Sequence, residues 1–329
     1  MNKLARLIDR AKAGPAYTVA IANALDRETM LAVKLALDEK LCSFILAGDE
    51  GELRLMAQAL GMDPDSPFLA YEHAPGLEAK AAVAAAAGKK ADIVMKGNVS
   101  TKEILQAILN KDAGLRTQEL LSHVALFDIP GRTEPVFLTD AAINIAPGLA
   151  EKVQIIEHAA QVAKTLGIAC PKVAVIAPVD VINQAIPSTL DAAKLTLMQE
   201  NGEIKGCLVG GPISFDNAIS IESARHKGIF SKIAGEADIL MVPTIEVGNA
   251  LYKSFIFFAG AKVAAVVCGA GVPIVLPSRA DSPESKLYSL ALAIVLANSK
   301  SNERGGCHAT AISHSCHQSE NRSDHNRPV

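Results

Sequence analysis

Eleven short, continuous apolar runs, most of them separated by stretches of helical periodicity, constrain this chain more than any other feature. The first six are Thr18–Ala22, Ser43–Ala47, Phe68–Tyr71, Asp92–Met95, His123–Phe127 and Val136–Leu138. Five more follow at Val173–Ile176, Cys207–Val209, Ile239–Val242, Ala264–Val267 and Ile274–Leu276. Between them lie Arg27–Glu39, Gly76–Ala87, Thr101–Leu109, Leu149–Leu166, Thr189–Gln199, Val247–Ala259 and Ser285–Ala297, each with the spacing of an amphipathic or buried helix. Strand then helix, repeated, predicts an α/β fold with mostly parallel sheets. The runs do not alternate with polar residues, so both sheet faces should be covered. A length of 329 residues suits two domains of ordinary size. The polar segment Thr139–Gly148, with its Pro147, interrupts the first rhythm and marks a boundary there. After Ser299 the chain turns rich in Ser, His, Asn and Gly without apolar periodicity, which predicts a disordered tail over 301–329.

Composition excludes several function classes. The formal net charge is −3 and no long Lys/Arg run occurs, which argues against a duplex-binding face. Trp is absent and aromatics make up 4%, too few for a stacking platform for single strands. The N-terminus carries charges at once and lacks a signal-peptide core. The apolar runs Ser254–Cys268 and Leu287–Ala297 are too short, or are broken by Lys262, to span a bilayer. Six cysteines without an even framework fit a reducing cytosol, and Cys42, Cys170, Cys207 and Cys268, in or beside apolar runs, read as small core residues. These features predict a cytoplasmic protein that binds neither nucleic acid nor membrane, with small molecules and further copies of itself as partners.

Gly269-Ala270-Gly271 follows a strand, but Pro273 and another apolar run stand where a dinucleotide-binding helix would begin. No phosphate-binding loop of the G-x-x-x-x-G-K-[ST] type occurs. Lys96-Gly97-Asn98 and Ser100-Thr101-Lys102-Glu103 lead from a strand into a helix. Ser100 and Glu103 have capping-box spacing, whereas Lys96, the flexible Gly97 and free helix N–H groups suit an anion; spacing leaves the two readings open. Further on, Asp140 and Asn144 share a loop, Gly210-Gly211-Pro212 precedes Asp216, and Glu246-Val-Gly248-Asn249 opens a helix with Lys253 one turn in. Pro277 then delivers Ser278-Arg279-Ala280-Asp281. Strand ends thus carry Ser, Arg, Lys, Asn and Asp, and the expectation is that they converge on one sheet edge.

Glu246-Val-Gly-Asn249…Lys253, the preceding Ala-Asp-Ile-Leu-Met-Val-Pro243 and the later Pro277-Ser-Arg resemble the phosphate acetyltransferase and phosphate butyryltransferase family. Asp140…Asn144…Pro147 and Gly211-Pro212…Asp216 are similar to it as well, so the likeness runs from about residue 10 to 298. Lys96-Gly97…Ser100-Thr101, Leu115-Arg116-Thr117, Ser122-His123-Val124 and Ser278-Arg279-Ala280-Asp281-Ser282 look like the butyryl branch. The resemblance implies two α/β/α domains with an inter-domain cleft, as in isocitrate and isopropylmalate dehydrogenases, and a homodimer or higher homo-oligomer. The domains would be 1–138 with 283–300, and 139–282. It implies transfer of a butyryl or similar short or branched acyl group between coenzyme A and inorganic phosphate, by direct thiolate attack in a ternary complex. The same resemblance holds for an acetyl enzyme, and more remotely for a non-catalytic acyl-CoA-binding protein.

On this reading acyl-CoA and phosphate are substrates, and no metal or cofactor is called for. Ser278 and Arg279 would act on phosphate and carbonyl oxygens. Lys96, Ser100, Thr101, Arg116, Asn144, Asn249 and Lys253 would bind phosphate or acyl-CoA. The base that takes the thiol proton is open between Asp281 and Glu284, because the family's proposed carboxylate is replaced by Ser285. The acetyl enzymes carry an Arg in the helix after the Ser-Thr loop; Gln106 stands about there, and Arg116 is the candidate substitute. His123 reads as a core or edge histidine, His158 as a residue on a surface helix, and Arg225-His226-Lys227 as a solvated basic face.

Overall fold

A computed structural model describes residues 3–117, 119–278 and 281–305. Every apolar run forms a strand: β1 Thr18–Ala22, β2 Ser43–Gly48, β3 Leu69–His73, β4 Ile93–Lys96, β5 Ser122–Asp128 and β6 Val136–Thr139, then β7 Lys172–Ile176, β8 Leu208–Ile213, β9 Ile239–Met241, β10 Lys262–Cys268 and β11 Ile274–Val275. β8 carries on through Gly210-Gly211-Pro212, beyond the apolar run Cys207–Val209. The predicted helices also form: α2 Arg27–Asp38, α4 Glu78–Ala87, α5 Thr101–Leu109, α6 Leu149–Thr165, α7 Pro187–Glu200, α10 Ile245–Phe257 and α11 Pro283–Gly305. Four helices carry no clear periodic signal: α1 Ala5–Lys12, α3 Glu50–Ala59, α8 Phe215–Ile219 and α9 Ile221–His226. They bury few residues each; α3 buries Leu53 and Ala57 and is fixed by Asp49, whose side chain accepts from the Glu52 N–H. The structure carries α11 into the segment the sequence assigns to a tail; residues 306–329 lie outside the described residues.

All eleven strands belong to one sheet in the order β3-β2-β1-β4-β11-β10-β5-β6-β9-β7-β8. The five strands from β3 to β11 are mutually parallel, as are the four from β6 to β8. Between these blocks the β11–β10, β10–β5 and β5–β6 pairs are all antiparallel. Three successive reversals turn the second block against the first. The expectation that the strand ends converge on one edge is therefore corrected: the carboxyl ends of the two blocks lie at opposite edges. What the blocks share is a face.

One face is covered by α1, α2, α3, α6, α7 and α11, whose buried residues form one core with Val124, Leu126 and Val266. On the other face, α4 and α5 pack on the first block with Val94, Val267 and Ile274. A separate cluster joins α8, α9 and α10 to Ala125, Phe127, Leu138 and Ala265 of the second block. Residues alternate sides along a strand, so His123 lies on this second face with Ala125 and Phe127. By register it stands opposite Val267, which in turn pairs with Ile274. His123 therefore marks the seam between the two helical groups. β11 and α11, late in the chain, complete the first block: β11 pairs with β4, and α11 packs on α1 and α2.

At the carboxyl end of β4 the backbone of Gly97 lies against the loop after β1. Its N–H donates to Ala22 O at 3.0 Å, and an added Cβ would stand 2.0 Å from Asn23 O. Close approach, rather than flexibility, is what glycine provides here. Gly97→Ala must push two backbone segments apart, and a loss of about 1–3 kcal/mol, read as a lowered urea midpoint at unchanged m, is expected.

Candidate active site

The loop that follows β11 gathers the strongest chemistry. Two residues of strand and the buried Pro277 lead to Ser278, which two hydrogen bonds tie to Asp281. Asp281 Oδ2 accepts from the Ser278 N–H at 2.8 Å, and the Asp281 N–H donates to Ser278 O at 3.1 Å. The Asp281 carboxylate is buried, with Tyr252 Oη 3.5 Å away on α10. Burial raises its pKa above the usual carboxylate range, against the Ser278 N–H and the charges of Lys286, Lys253 and His123. Arg279 lies outside the described residues, so its place in the site rests on the sequence.

The other candidate base has a different setting. Glu284 is exposed and accepts from Lys262 Nζ at 2.6 Å, an ion pair at the start of β10. Ser285 is buried beside Ser282, whose hydroxyl accepts the Ser285 N–H at 3.2 Å. Of the two candidate bases, Asp281 is buried and Glu284 is exposed and engaged by Lys262.

Lys96, one strand away on β4, is buried, and its Nζ lies 3.2 Å from Gly97 O and 3.3 Å from Val99 O. Ser100 is the N-cap of α5: its Oγ accepts the Glu103 N–H at 3.1 Å, and Glu103 Oε2 accepts the Ser100 N–H at 2.8 Å. The capping box is formed, and these bonds hold the Glu103 pKa low. It leaves Thr101 exposed in the first turn.

From the second block comes the loop after β6. Asp140 is buried and saturated with donors: Oδ1 accepts from Ala142 N and Ile143 N, and Oδ2 from His123 N at 3.1 Å and Asn144 Nδ2 at 2.7 Å. Asn144 also donates to Leu121 O at 2.9 Å. Asp140 thus builds the loop that aims Asn144. α10 begins hard against it, since a Cβ on Gly248 would lie 2.6 Å from Asp140 O. This contact sets the helix so that Asn249 and Lys253, one turn apart, are exposed while Tyr252 is buried. Arg116, exposed on the loop before β5, shares a cavity of about 930 Å³ with Lys111, Leu105, Leu109, Ile143 and Asn144.

His123 is a core histidine, as its sequence setting suggests, whereas Lys286 is a buried charged residue that the sequence analysis does not single out. His123 is buried with Nδ1 lacking a hydrogen-bond partner, its ring 6.0 Å from that of Tyr252. Burial pushes its pKa down, opposed by Asp140 and Asp281, which favours the neutral ring. Lys286 is buried on α11 and donates to Asp281 O at 2.7 Å. The available signal was a lysine directly before the apolar stretch Leu287–Ala297. His158 is also less exposed than expected, with its Nδ1 2.7 Å from Ser122 Oγ.

A buried acid of raised pKa beside Ser278, with lysines from both blocks nearby, can take a proton and hold an anion. No helix among the described residues is long and apolar enough to cross a membrane.

Comparison with known proteins finds a matching family and similar relatives. Residues 72–294 match the family described as "Phosphate acetyl/butaryl transferase". A protein named "Probable phosphate butyryltransferase" from Bacillus subtilis is 48% identical over 292 residues, covering 89% of this chain and 97% of that one. Phosphate acetyltransferase of Thermotoga maritima is 39% identical over 294 residues, 89% of this chain and 99% of that protein. The crystal structure of a branched-chain phosphotransacylase from Enterococcus faecalis superposes with a TM-score of 0.75 at 36% identity, covering 85% of this chain and 99% of that one.

Proposed function

Because this chain belongs to the phosphate acetyl/butyryl transferase family, we propose that it is a phosphate butyryltransferase with Asp281 as its base. The observation that carries the assignment of the base is the buried Asp281 carboxylate, raised in pKa and fixed to the Ser278 N–H. In the direction of coenzyme A acylation, Asp281 takes the thiol proton as sulfur attacks the carbonyl carbon of butyryl phosphate. The C–S bond forms, the bond from that carbon to the bridging phosphate oxygen breaks, and its electron pair leaves with that oxygen on phosphate. Ser278 donates to the carbonyl or phosphate oxygen, while Arg279, Lys96 and Lys253 offset the phosphate charge. Thr101 and the α5 N-terminus, Arg116, Asn144 and Asn249 line the approach of the two substrates. Ser100 acts there through its cap. In reverse, phosphate attacks the thioester and Asp281 returns the proton to sulfur.

Residues 1–138 with 283–300, and 139–282, are the two units of this reading, and the substrates lie where they meet. The working form is a cytoplasmic homodimer or higher homo-oligomer. Apolar side chains near the site, among them Leu105, Ile143 and Leu276, suit a chain longer than acetyl.

Phosphate-dependent release of coenzyme A from acyl-CoA tests the assignment. Each added methylene in a hydrophobic pocket is worth about 1–3 kcal/mol. The expected result is therefore a kcat/KM for butyryl-CoA or a branched acyl-CoA well above that for acetyl-CoA. Equal or better use of acetyl-CoA would move the chain to the acetyl branch.

A further inference from the structure

Lys286 is 2% exposed, sealed in the first turn of α11 ahead of the core residues Leu287, Leu290 and Ala291. An ammonium in such a place is costly unless it is paired, so its contacts are informative. Nζ donates to the backbone carbonyl of Asp281 at 2.7 Å. Burial pushes the Lys286 pKa down, opposed by the charges of Asp26, the N-cap of α2, Asp281 itself, and Glu28 in the first turn of α2. Asp281 is faced in turn by His123 from β5, by Tyr252 and Lys253 from α10, and by Lys286 from α11.

We propose that Lys286 is a positioning residue for the catalytic loop: it pins the Asp281 backbone and places its ammonium behind the carboxylate. This rests on the reading of Asp281 as the base. Asp281 is tied to Ser278 through both its carboxylate and its N–H, so a displaced carbonyl moves carboxylate and Ser278 N–H together. The charge acts separately. It favours the ionised carboxylate, so removing it must raise the Asp281 pKa, and the acid limb of the rate profile must move to higher pH.

The test uses the full chain, assayed as butyryl phosphate plus coenzyme A, with kcat, KM and pH profile measured beside Tm. Lys286→Met removes both hydrogen bond and charge. Its kcat should fall about 10²-fold, the scale of a small misplacement of reacting groups. KM for coenzyme A should change little, and the acid limb should rise in pH. Lys286→Gln keeps a donor for the carbonyl but no charge, so it should regain part of kcat while keeping the raised limb. If Lys286→Met does not fold, Lys286→Gln decides. A wild-type limb and kcat in Lys286→Gln, with only Tm altered, would overturn the proposal while leaving Asp281 as the base. An acid limb that survives in Asp281→Asn would overturn the base assignment and this proposal together.

Discussion

Asp281→Asn is expected to lower kcat for the acylation of coenzyme A by about 10²–10⁴-fold, the range for loss of a general base. The acid limb of the profile should vanish with it. Asparagine has nearly the same shape, and its Oδ1 can still accept the Ser278 N–H. Stability should therefore move the other way. Burial raises the folded-state pKa of Asp281 above its unfolded value. Such a group contributes stability that is full below the unfolded pKa and is lost as pH rises through the folded pKa. At neutral pH the wild type carries the cost of a buried carboxylate, which asparagine does not. Thermal unfolding at neutral pH should thus give a Tm for Asp281→Asn equal to or above that of the wild type. A clear fall in Tm together with near-normal turnover would make Asp281 a structural residue.

Arg279→Lys should raise KM for phosphate and cut kcat by about 10²-fold or more, as for removal of one aimed transition-state donor. A guanidinium meets phosphate with a planar two-pronged fork that a point charge cannot rebuild. The competing role for Arg279 is an ion pair with Asp281 or Glu284. A surface pair with the exposed Glu284 is worth about 0–1 kcal/mol, and lysine keeps the charge that a pair with the buried Asp281 would use, so this role predicts little change in rate. Both acids have other engagements: Asp281 Oδ2 accepts the Ser278 N–H and Glu284 accepts from Lys262. Phosphate-dependent release of coenzyme A, measured for both proteins beside thermal unfolding, separates the two roles. Near-normal kinetics with phosphate would remove Arg279 from the site.

Much of the architecture is legible in the sequence because it is written in local signals. Buried parallel strands need unbroken apolar runs, and each run found became a strand. Short helices such as α8 and α9 escape because five or six residues cannot display a period. Strand direction escapes for a different reason. Parallel and antiparallel neighbours both accept apolar residues, so nothing local in Val263–Val267 announces that β10 reverses the sheet. The site divides in the same way. Ser278 and Asp281 stand out as polar residues at a strand end. Lys286 and His123 do not, since a lysine or histidine in an apolar stretch has no pattern of its own. Their meaning comes from Asp281 and Tyr252, which the fold brings in from distant segments. Gly97 and Gly248 stand in recognisable motifs, yet the reason for each is a backbone from another loop, Asn23 and Asp140 respectively.

The return of β11 and α11 to the first block also has a consequence for synthesis. A ribosome delivers β1 to β4 early, but the far edge of β4 stays open and the faces of α1 and α2 that α11 covers stay bare until the last part of the chain emerges. β6 to β9, by contrast, meet their parallel neighbours within one continuous stretch. The second block can therefore close while the first still waits with an unpaired edge, the kind of surface on which nascent chains join one another. Interrupted translation that stops short of residue 274 would leave the earliest-made half of the protein as its least finished, and the half most in need of a chaperone.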